Sequence, residues 1–141
     1  MPALFNNIEI KSTDKAEKNT KNEKFFSGLT GEKLALIEME KKGFSLIKKR
    51  YKTKYGEIDL IVEDEEKKII VFVEVKRRKI IYDYENLISK KQWERIYNSA
   101  EIFLSENVEK YRDYAIRYDA FICFTNSTNT IHIENILQID N

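Results

Sequence analysis

The segment Ile69-Ile70-Val71-Phe72-Val73-Glu74-Val75-Lys76 is apolar almost without interruption until its last three positions. A run of β-branched and aromatic residues that does not alternate with polar ones is typical of a strand covered on both faces. We therefore predict that residues 69–76 form a central strand of a sheet. Because side chains alternate between the faces of a strand, Glu74 and Lys76 should share one face with Phe72.

Two further apolar segments precede this strand, at residues 44–51 and 56–62. Short polar stretches join the three segments, so we predict three antiparallel strands with a turn at 64–68. A helix should precede them. Thr30 is a suitable N-cap, Glu32 complements the helix dipole, and Gly43 is suited to the helix stop. The apolar stripe of this helix consists of Leu34, Ala35, Ile37 and Met39.

A second helix and two strands are predicted after the central strand. Ser89 and Gln92 have the spacing of a capping box, although a start at Asn86 also fits. The helix stripe is Trp93, Ile96, Tyr97, Ala100, Phe103 and Leu104. Residues 115–125 and 130–136 read as strands around a turn at 126–129. The order of helix, three strands, helix and two strands requires a right-handed crossover, and so a mixed sheet flanked by helices.

Composition indicates one globular domain over residues 28–141. Of the 141 residues, 42% are hydrophobic, and the formal net charge is +1. Residues 1–27 have little apolar periodicity, so we expect a mobile N-terminal tail. The lone Cys123 excludes an intrachain disulfide, and no apolar run reaches the roughly 18 residues of a membrane span. These features indicate a cytoplasmic protein without a membrane partner.

Two carboxylates are expected to meet in this sheet. Glu74 interrupts the core strand, where an ionised carboxylate without a partner would cost several kcal/mol. A short hairpin brings Asp59 beside it. Two adjacent carboxylates repel each other unless a cation lies between them, and Mg²⁺ in proteins commonly takes one or two carboxylates. Lys76 is then placed to orient an attacking water or to stabilise developing negative charge.

Basic residues adjoin both carboxylates. One cluster precedes Asp59 and comprises Lys48, Lys49, Arg50, Lys52 and Lys54, and the other is the run Lys76-Arg77-Arg78-Lys79. For the first cluster, phosphate binding and a plain solvated face are equally supported. The second favours phosphate binding.

An Asp followed by an apolar strand that ends in Glu-x-Lys resembles the PD-(D/E)xK nuclease superfamily. The fuller pattern is similar to the YraN-like family of uncharacterised bacterial proteins, which are relatives of archaeal Holliday-junction resolvases. The matching blocks are Gly31-Glu32, residues 46–52, Gly56-Glu57-Ile58-Asp59-Leu60-Ile61, residues 71–77, Lys91-Gln92 with Arg95, and Arg117-Tyr118-Asp119. An ordered set of blocks on the expected elements is far more specific than a bare Asp and Glu-x-Lys.

This resemblance implies an α/β restriction-endonuclease-like fold and a site for Mg²⁺ or Mn²⁺. Asp59, Glu74 and Val75 would hold the metal, with Glu32 completing or flanking the site. Lys76 would be the catalytic lysine, and Gln92 would face the site from the second helix. The nucleic-acid contacts would be Lys49, Arg50, Lys52, Arg77, Arg78, Lys91 and Arg95. The chain departs from the family in three ways: Ile58 replaces the superfamily's proline, the tail is longer, and the Lys49-Arg50 block has a basic residue where relatives often show asparagine.

The expected function is a metal-dependent endonuclease that acts on DNA in preference to RNA. The likeness to resolvases implies branched or structured DNA and is compatible with a homodimer. The alternative is a nucleic-acid-binding module of the same fold without turnover, and a third interpretation is a protein-interaction domain that binds no metal.

Several residues also have a purely structural interpretation. Glu74 and Lys76 can form an ion pair across the strand. The tyrosines at 51, 55, 82 and 84 can stack on bases or pack on the sheet. His132 is expected on the surface of an edge strand, and Trp93 and Cys123 in the core.

Overall fold

The computed structural model describes residues 8–11, 30–79, 87–125 and 127–137. A six-stranded sheet has the order β1-β6-β5-β4-β3-β2. Its strands are β1 (Ile8–Lys11), β2 (Ser45–Thr53), β3 (Gly56–Asp64), β4 (Ile69–Arg78), β5 (Ala115–Phe124) and β6 (Thr130–Ile133). The helices are α1 (Gly31–Lys41), α2 (Lys90–Glu106) and the short α3 (Val108–Tyr111).

β4 is the central strand that its apolar run predicts. It pairs antiparallel with β3 and parallel with β5. Its residues from Ile70 to Val73 have no solvent exposure. The parallel pair is the one that the crossover through α2 requires, so the sheet is mixed.

One helix covers each face of the sheet. On one face, Ile58 and Phe72 pack with Ile96 and Phe103 of α2, a group we call the α2-side core. On the other face, Leu60 and Val73 pack with Ala35 and Met39 of α1, the α1-side core. The predicted restriction-endonuclease-like α/β fold, a sheet between helices, is confirmed.

The helix ends form as their sequences predict. The Thr30 hydroxyl accepts a hydrogen bond from the Lys33 amide at 3.2 Å, and Gly43 takes a positive φ of 94° just after α1. Ser89 caps α2 with the full capping box. Its hydroxyl accepts from the Gln92 amide at 3.1 Å, and its own amide donates to the Gln92 side chain at 3.2 Å. Of the two predicted starts of this helix, the one capped by Ser89 is confirmed, and the earlier start at Asn86 is not.

Two expectations fail on the β6 side of the sheet. Ile8–Lys11 was assigned to the mobile tail, but its backbone pairs antiparallel with β6. His132 was expected on the surface and is only 1% exposed. β1 removes the open edge of β6, and the His132 ring is buried against β5, where it stacks on Phe121 with 4.2 Å between the ring centroids and bonds to Asp119. The other residues of 1–27 that were assigned to the tail lie outside the described residues, and the domain boundary at 28 stays a prediction.

No helix in the described part of the chain is long and apolar enough to cross a membrane.

Candidate active site

The site lies where the backbone pairing between β3 and β4 ends. Backbone pairing between these strands runs from Asp64↔Ile69 to Leu60↔Val73. One residue further, the Asp59 carboxylate accepts a hydrogen bond from the Val75 amide, with 2.8 Å between Oδ2 and N. A side-chain oxygen has replaced a backbone carbonyl as the acceptor for β4. This contact fixes the Asp59 carboxylate against the end of the central strand.

Glu74 and Lys76 lie next to this contact on β4. Lys76 Nζ is 3.6 Å from Glu74 Oε1, and both side chains are about six-sevenths buried, at 15% and 14% exposure. The ion pair that the structural interpretation expects is therefore present. Lys76 is not the only charged partner of Glu74, because Glu74 also interacts with Asp59.

Asp59 and Glu74 share a partly desolvated position. Burial raises the pKa of both carboxyl groups. For Glu74, burial, then the charge of Asp59 and a hydrogen bond between the two groups outweigh Lys76 and raise the pKa to about 7. A close carboxyl pair in a low-dielectric site holds a proton between its members when no other cation is bound. The same arrangement favours a cation that replaces the proton.

The stability of the metal-free protein should therefore fall as pH rises from 4.5 to about 7. A carboxyl group with a raised pKa binds its proton more tightly in the folded state, so its contribution is lost as it ionises. We expect a loss on the order of 1–3 kcal/mol in the free energy of unfolding, measured by urea denaturation at a series of pH values. Glu74→Gln is the control. An equal slope in this variant would show that another group is responsible.

Glu32 and Arg50 flank the carboxyl pair. Arg50 Nε donates to Glu32 Oε2 at 3.0 Å, and the charge of Glu32 contributes to the raised pKa of Asp59. Gly31 allows this approach of α1, since a Cβ there would lie 3.1 Å from Val75 Cγ1. Among the described residues, no three His, Cys, Asp or Glu side chains are grouped as a complete metal site needs. Glu32 thus lies beside the pair and is held by Arg50.

The residues assigned to α2 lie at its start. The Gln92 side chain is part of the helix cap, which gives it a structural task that its capping-box spacing already indicates. Arg95 packs against the β2–β3 turn, 3.4 Å from where a Cβ on Gly56 would stand. Lys91 is exposed. Of the predicted site residues, the structure brings together Glu32, Asp59, Glu74, Val75 and Lys76, together with Arg50.

The remaining basic residues lie around this site on exposed positions. Lys49 and Lys52 are on β2, the outermost strand of the sheet, and Arg77 and Arg78 end β4. Because β2, β3 and β4 are antiparallel neighbours, the end of β2, the start of β3 and the end of β4 meet at one end of the sheet. Arg78 also donates to two backbone carbonyls, those of Arg77 and Leu87.

The tyrosines divide between the two interpretations. Tyr51 is buried and meets Phe103 edge to face at 5.4 Å, so it is a packing residue. Tyr55 is 42% exposed beside Lys54, as a stacking surface would be. Residues 82 and 84 lie outside the described residues. Cys123 is buried, as predicted, and Trp93 is partly buried against the α2-side core.

A buried network on β5 was not anticipated. Asp119 has no exposure and accepts two hydrogen bonds from Arg117, at 2.9 and 2.8 Å. It also accepts from His132 at 2.7 Å and from the Asn135 amide at 2.9 Å. The other ring nitrogen of His132 is 2.6 Å from Lys42 Nζ. Since a carboxylate only accepts and an ammonium only donates, the geometry suits an imidazole that donates from Nε2 to Asp119 and accepts at Nδ1 from Lys42. The sequence does carry one signal of this network, the charged Asp119 in the middle of the apolar β5 strand.

The chain is similar to a group of bacterial proteins without a named function. A model of the uncharacterised protein family UPF0102 matches residues 31–123. A UPF0102 protein of Nitrobacter winogradskyi is 33% identical over 98 residues, covering 70% of this chain and 80% of that protein. One from Ehrlichia ruminantium is 35% identical over 111 residues, covering 79% and 83%. One from Rhodopseudomonas palustris is 35% identical over 98 residues, covering 70% and 72%.

Proposed function

The chain belongs to the uncharacterised protein family UPF0102, the YraN-like family, and from this premise we propose that it is a metal-dependent endonuclease acting on DNA. The observation that carries the proposal is the partly buried Asp59–Glu74 pair with Lys76 beside it. Ionisable groups whose pKa values are shifted by burial and by each other's charge are common at functional sites.

The donor set suits Mg²⁺ or Mn²⁺, since both prefer oxygen ligands. Asp59 and Glu74 would bind through carboxylate oxygens, Val75 through its backbone carbonyl, and Glu32 would complete or flank the set. When bound, such an ion lowers the pKa of a water molecule and offsets phosphate charge. No histidine or thiol is required in this arrangement.

Side chains of the protein would position the water and stabilise charge. Lys76, with a partly buried ammonium 3.6 Å from Glu74, would hold the attacking water and stabilise negative charge as it develops on the phosphate. The water oxygen would bond to phosphorus and release its proton to solvent, while the bond from phosphorus to the 3′ oxygen breaks and that oxygen takes a proton from solvent. The products are a 5′ phosphate and a 3′ hydroxyl.

The basic residues at this end of the sheet support a polyanionic substrate. Lys49, Lys52, Arg77 and Arg78 are exposed around the site, Arg95 packs against the β2–β3 turn at the same end of the sheet, and Lys91 is exposed at the start of α2. Contacts of this kind bind phosphates without reading sequence. Branched or otherwise structured DNA, a cytoplasmic location and a homodimer with one site for each strand are further parts of the proposal.

A nucleic-acid-binding module without turnover is the second candidate. It is favoured by two ion pairs at the site, Lys76 with Glu74 and Arg50 with Glu32. A site whose charges are paired within the protein can serve as part of a static binding surface.

Cleavage assays separate the candidates. The protein would be incubated with four-way junction, flap and linear duplex DNA in Mg²⁺, Mn²⁺ or chelator, beside Asp59→Ala and Glu74→Gln. We expect metal-dependent cleavage that falls at least about 100-fold in both variants. Cleavage that persists in both variants would reject the nuclease proposal. DNA binding without cleavage by the wild type would favour the module, and the absence of both Mn²⁺ and DNA binding would favour a protein-interaction domain.

A further inference from the structure

Arg50 has a backbone conformation that is unusual within a strand. Its φ is 48°, although β2 pairs with β3 on either side of it, through Lys49↔Leu60 and Tyr51↔Ile58. This left-handed region is unfavourable for residues with a Cβ, and Gly, Asn and Asp tolerate it best. An arginine that is kept in this conformation calls for an explanation from its side chain.

The irregularity at Arg50 coincides with the placement of Asp59. Leu60 belongs to the α1-side core and Ile58 to the α2-side core, so residues two apart on β3 point to opposite faces. Regular alternation would put them on the same face. The change of face falls at Asp59 and at Arg50, which lies across from it on β2. One local distortion therefore aims both side chains.

The side chain of Arg50 contacts the site as well as solvent. Its Nε donates to Glu32 at 3.0 Å while 62% of the side chain remains exposed. Glu32 is much less exposed, at 23%, and it directly follows Gly31, the residue at which α1 packs against Val75. Water would satisfy an exposed guanidinium at no structural cost, so the contact chiefly serves Glu32, which it holds next to the carboxyl pair.

We propose that Arg50 is a positioning residue, whose left-handed backbone turns its guanidinium onto Glu32 and so holds the charge of Glu32 beside the Asp59–Glu74 pair, where that charge favours a bound cation. This inference rests on the proposed function. It differs from a simple charge effect, because a positive charge near the site would by itself weaken cation binding.

A double-mutant cycle on Mn²⁺ affinity tests the inference without any need for turnover. Arg50→Asn should weaken Mn²⁺ binding about tenfold in calorimetry, the lower end of the loss that is typical when an outer-shell group of a metal site is removed. Glu32→Gln should have a similar or larger effect. The double variant should bind no more weakly than Glu32→Gln alone, because Arg50 acts through Glu32.

Thermal unfolding provides the control for folding. Asparagine tolerates positive φ, so Arg50→Asn should keep a Tm at or above the wild-type value. Lys68→Asn is a matched control, since Lys68 also has a positive φ, 54°, at the β3–β4 turn away from the site. It should match Arg50→Asn in Tm and bind Mn²⁺ like the wild type.

Two outcomes have distinct meanings. If the wild type binds Mn²⁺ and Arg50→Asn binds it equally or more tightly, or if the effects of Arg50→Asn and Glu32→Gln add, the role of Arg50 is rejected and the proposed function stands. If the wild type binds no Mn²⁺, the metal site is rejected and the role of Arg50 with it.

Discussion

Replacing Asp119 with alanine is expected to lower the free energy of unfolding by about 3–5 kcal/mol, a large part of the total stability of a domain of this size. The carboxylate is fully buried and neutralises Arg117, and it also accepts from His132 and the Asn135 amide. Its removal leaves a guanidinium and an imidazole without their acceptor. Urea denaturation measures the loss, and the milder Asp119→Asn serves if the alanine variant does not fold.

The control is an ion pair of the same chemistry on the surface. Arg112 and Glu109 approach within 3.5 Å, with the Glu109 side chain 91% exposed. Glu109→Ala should cost less than about 1 kcal/mol. A loss in Asp119→Ala as small as this would show that the buried network adds little.

The Asp119 network should also show in the pH dependence of stability. Hydrogen bonds from His132 and Arg117 lower the pKa of Asp119 in spite of its burial. A carboxyl group with a lowered pKa contributes fully above its ordinary value, and the contribution is lost as pH falls. The sign is opposite to that of Glu74, so the two groups make the metal-free protein most stable at intermediate, mildly acidic pH.

Under the proposed nuclease function, replacing Lys76 with methionine is expected to lower the rate of DNA cleavage by roughly 10²–10³-fold. Methionine keeps most of the side-chain volume and removes the ammonium that lies 3.6 Å from Glu74. Because Lys76 is a cation and cannot coordinate a metal, Mn²⁺ affinity should be unchanged or increased. Single-turnover cleavage at saturating metal measures the rate, and calorimetry measures the affinity.

The matched control for this prediction is Lys67→Met, at the turn between β3 and β4 and at the other end of these strands. It should cleave at the wild-type rate. Wild-type cleavage by Lys76→Met would remove Lys76 from the chemistry and return its contact with Glu74 to a structural ion pair.

Much of the fold follows from local sequence. The apolar run in β4 predicts a buried central strand, and the spacing of Ser89 and Gln92 predicts the start of α2. The pairing of β3 with β4 follows because a short turn joins them. These signals are local, so they do not depend on knowledge of the rest of the chain.

The features that the sequence did not predict depend on distant partners. His132 looks like a residue of an edge strand until β1, more than one hundred residues earlier, pairs with β6. The distortion at Arg50 leaves no signature in residue type, because arginine is an ordinary choice for an exposed strand. Asp119 gave a signal, a charge within an apolar strand, but its partners His132 and Asn135 lie on β6 and the turn after it, and Lys42, which contacts His132, follows α1.

The candidate site is predictable from the sequence only where its residues lie close together along the chain. Asp59 and Val75 lie sixteen residues apart on adjacent strands, so their approach follows from a single hairpin. Glu32 comes from α1 and was assigned only through resemblance to a family. Its contact with Arg50 depends on how the helix packs on the sheet.

The parallel pairing of β4 with β5 has a consequence for how the chain folds. The β2–β4 hairpins, with Asp59 and Val75 between them, can close soon after they leave the ribosome. β4 acquires its second neighbour only after α2 and β5 have been synthesised. Contacts between distant segments form slowly, and until these contacts form the apolar edge of β4 is open to pairing with other chains. Aggregation during synthesis should therefore depend more on α2 and β5 than on the strands that carry the site.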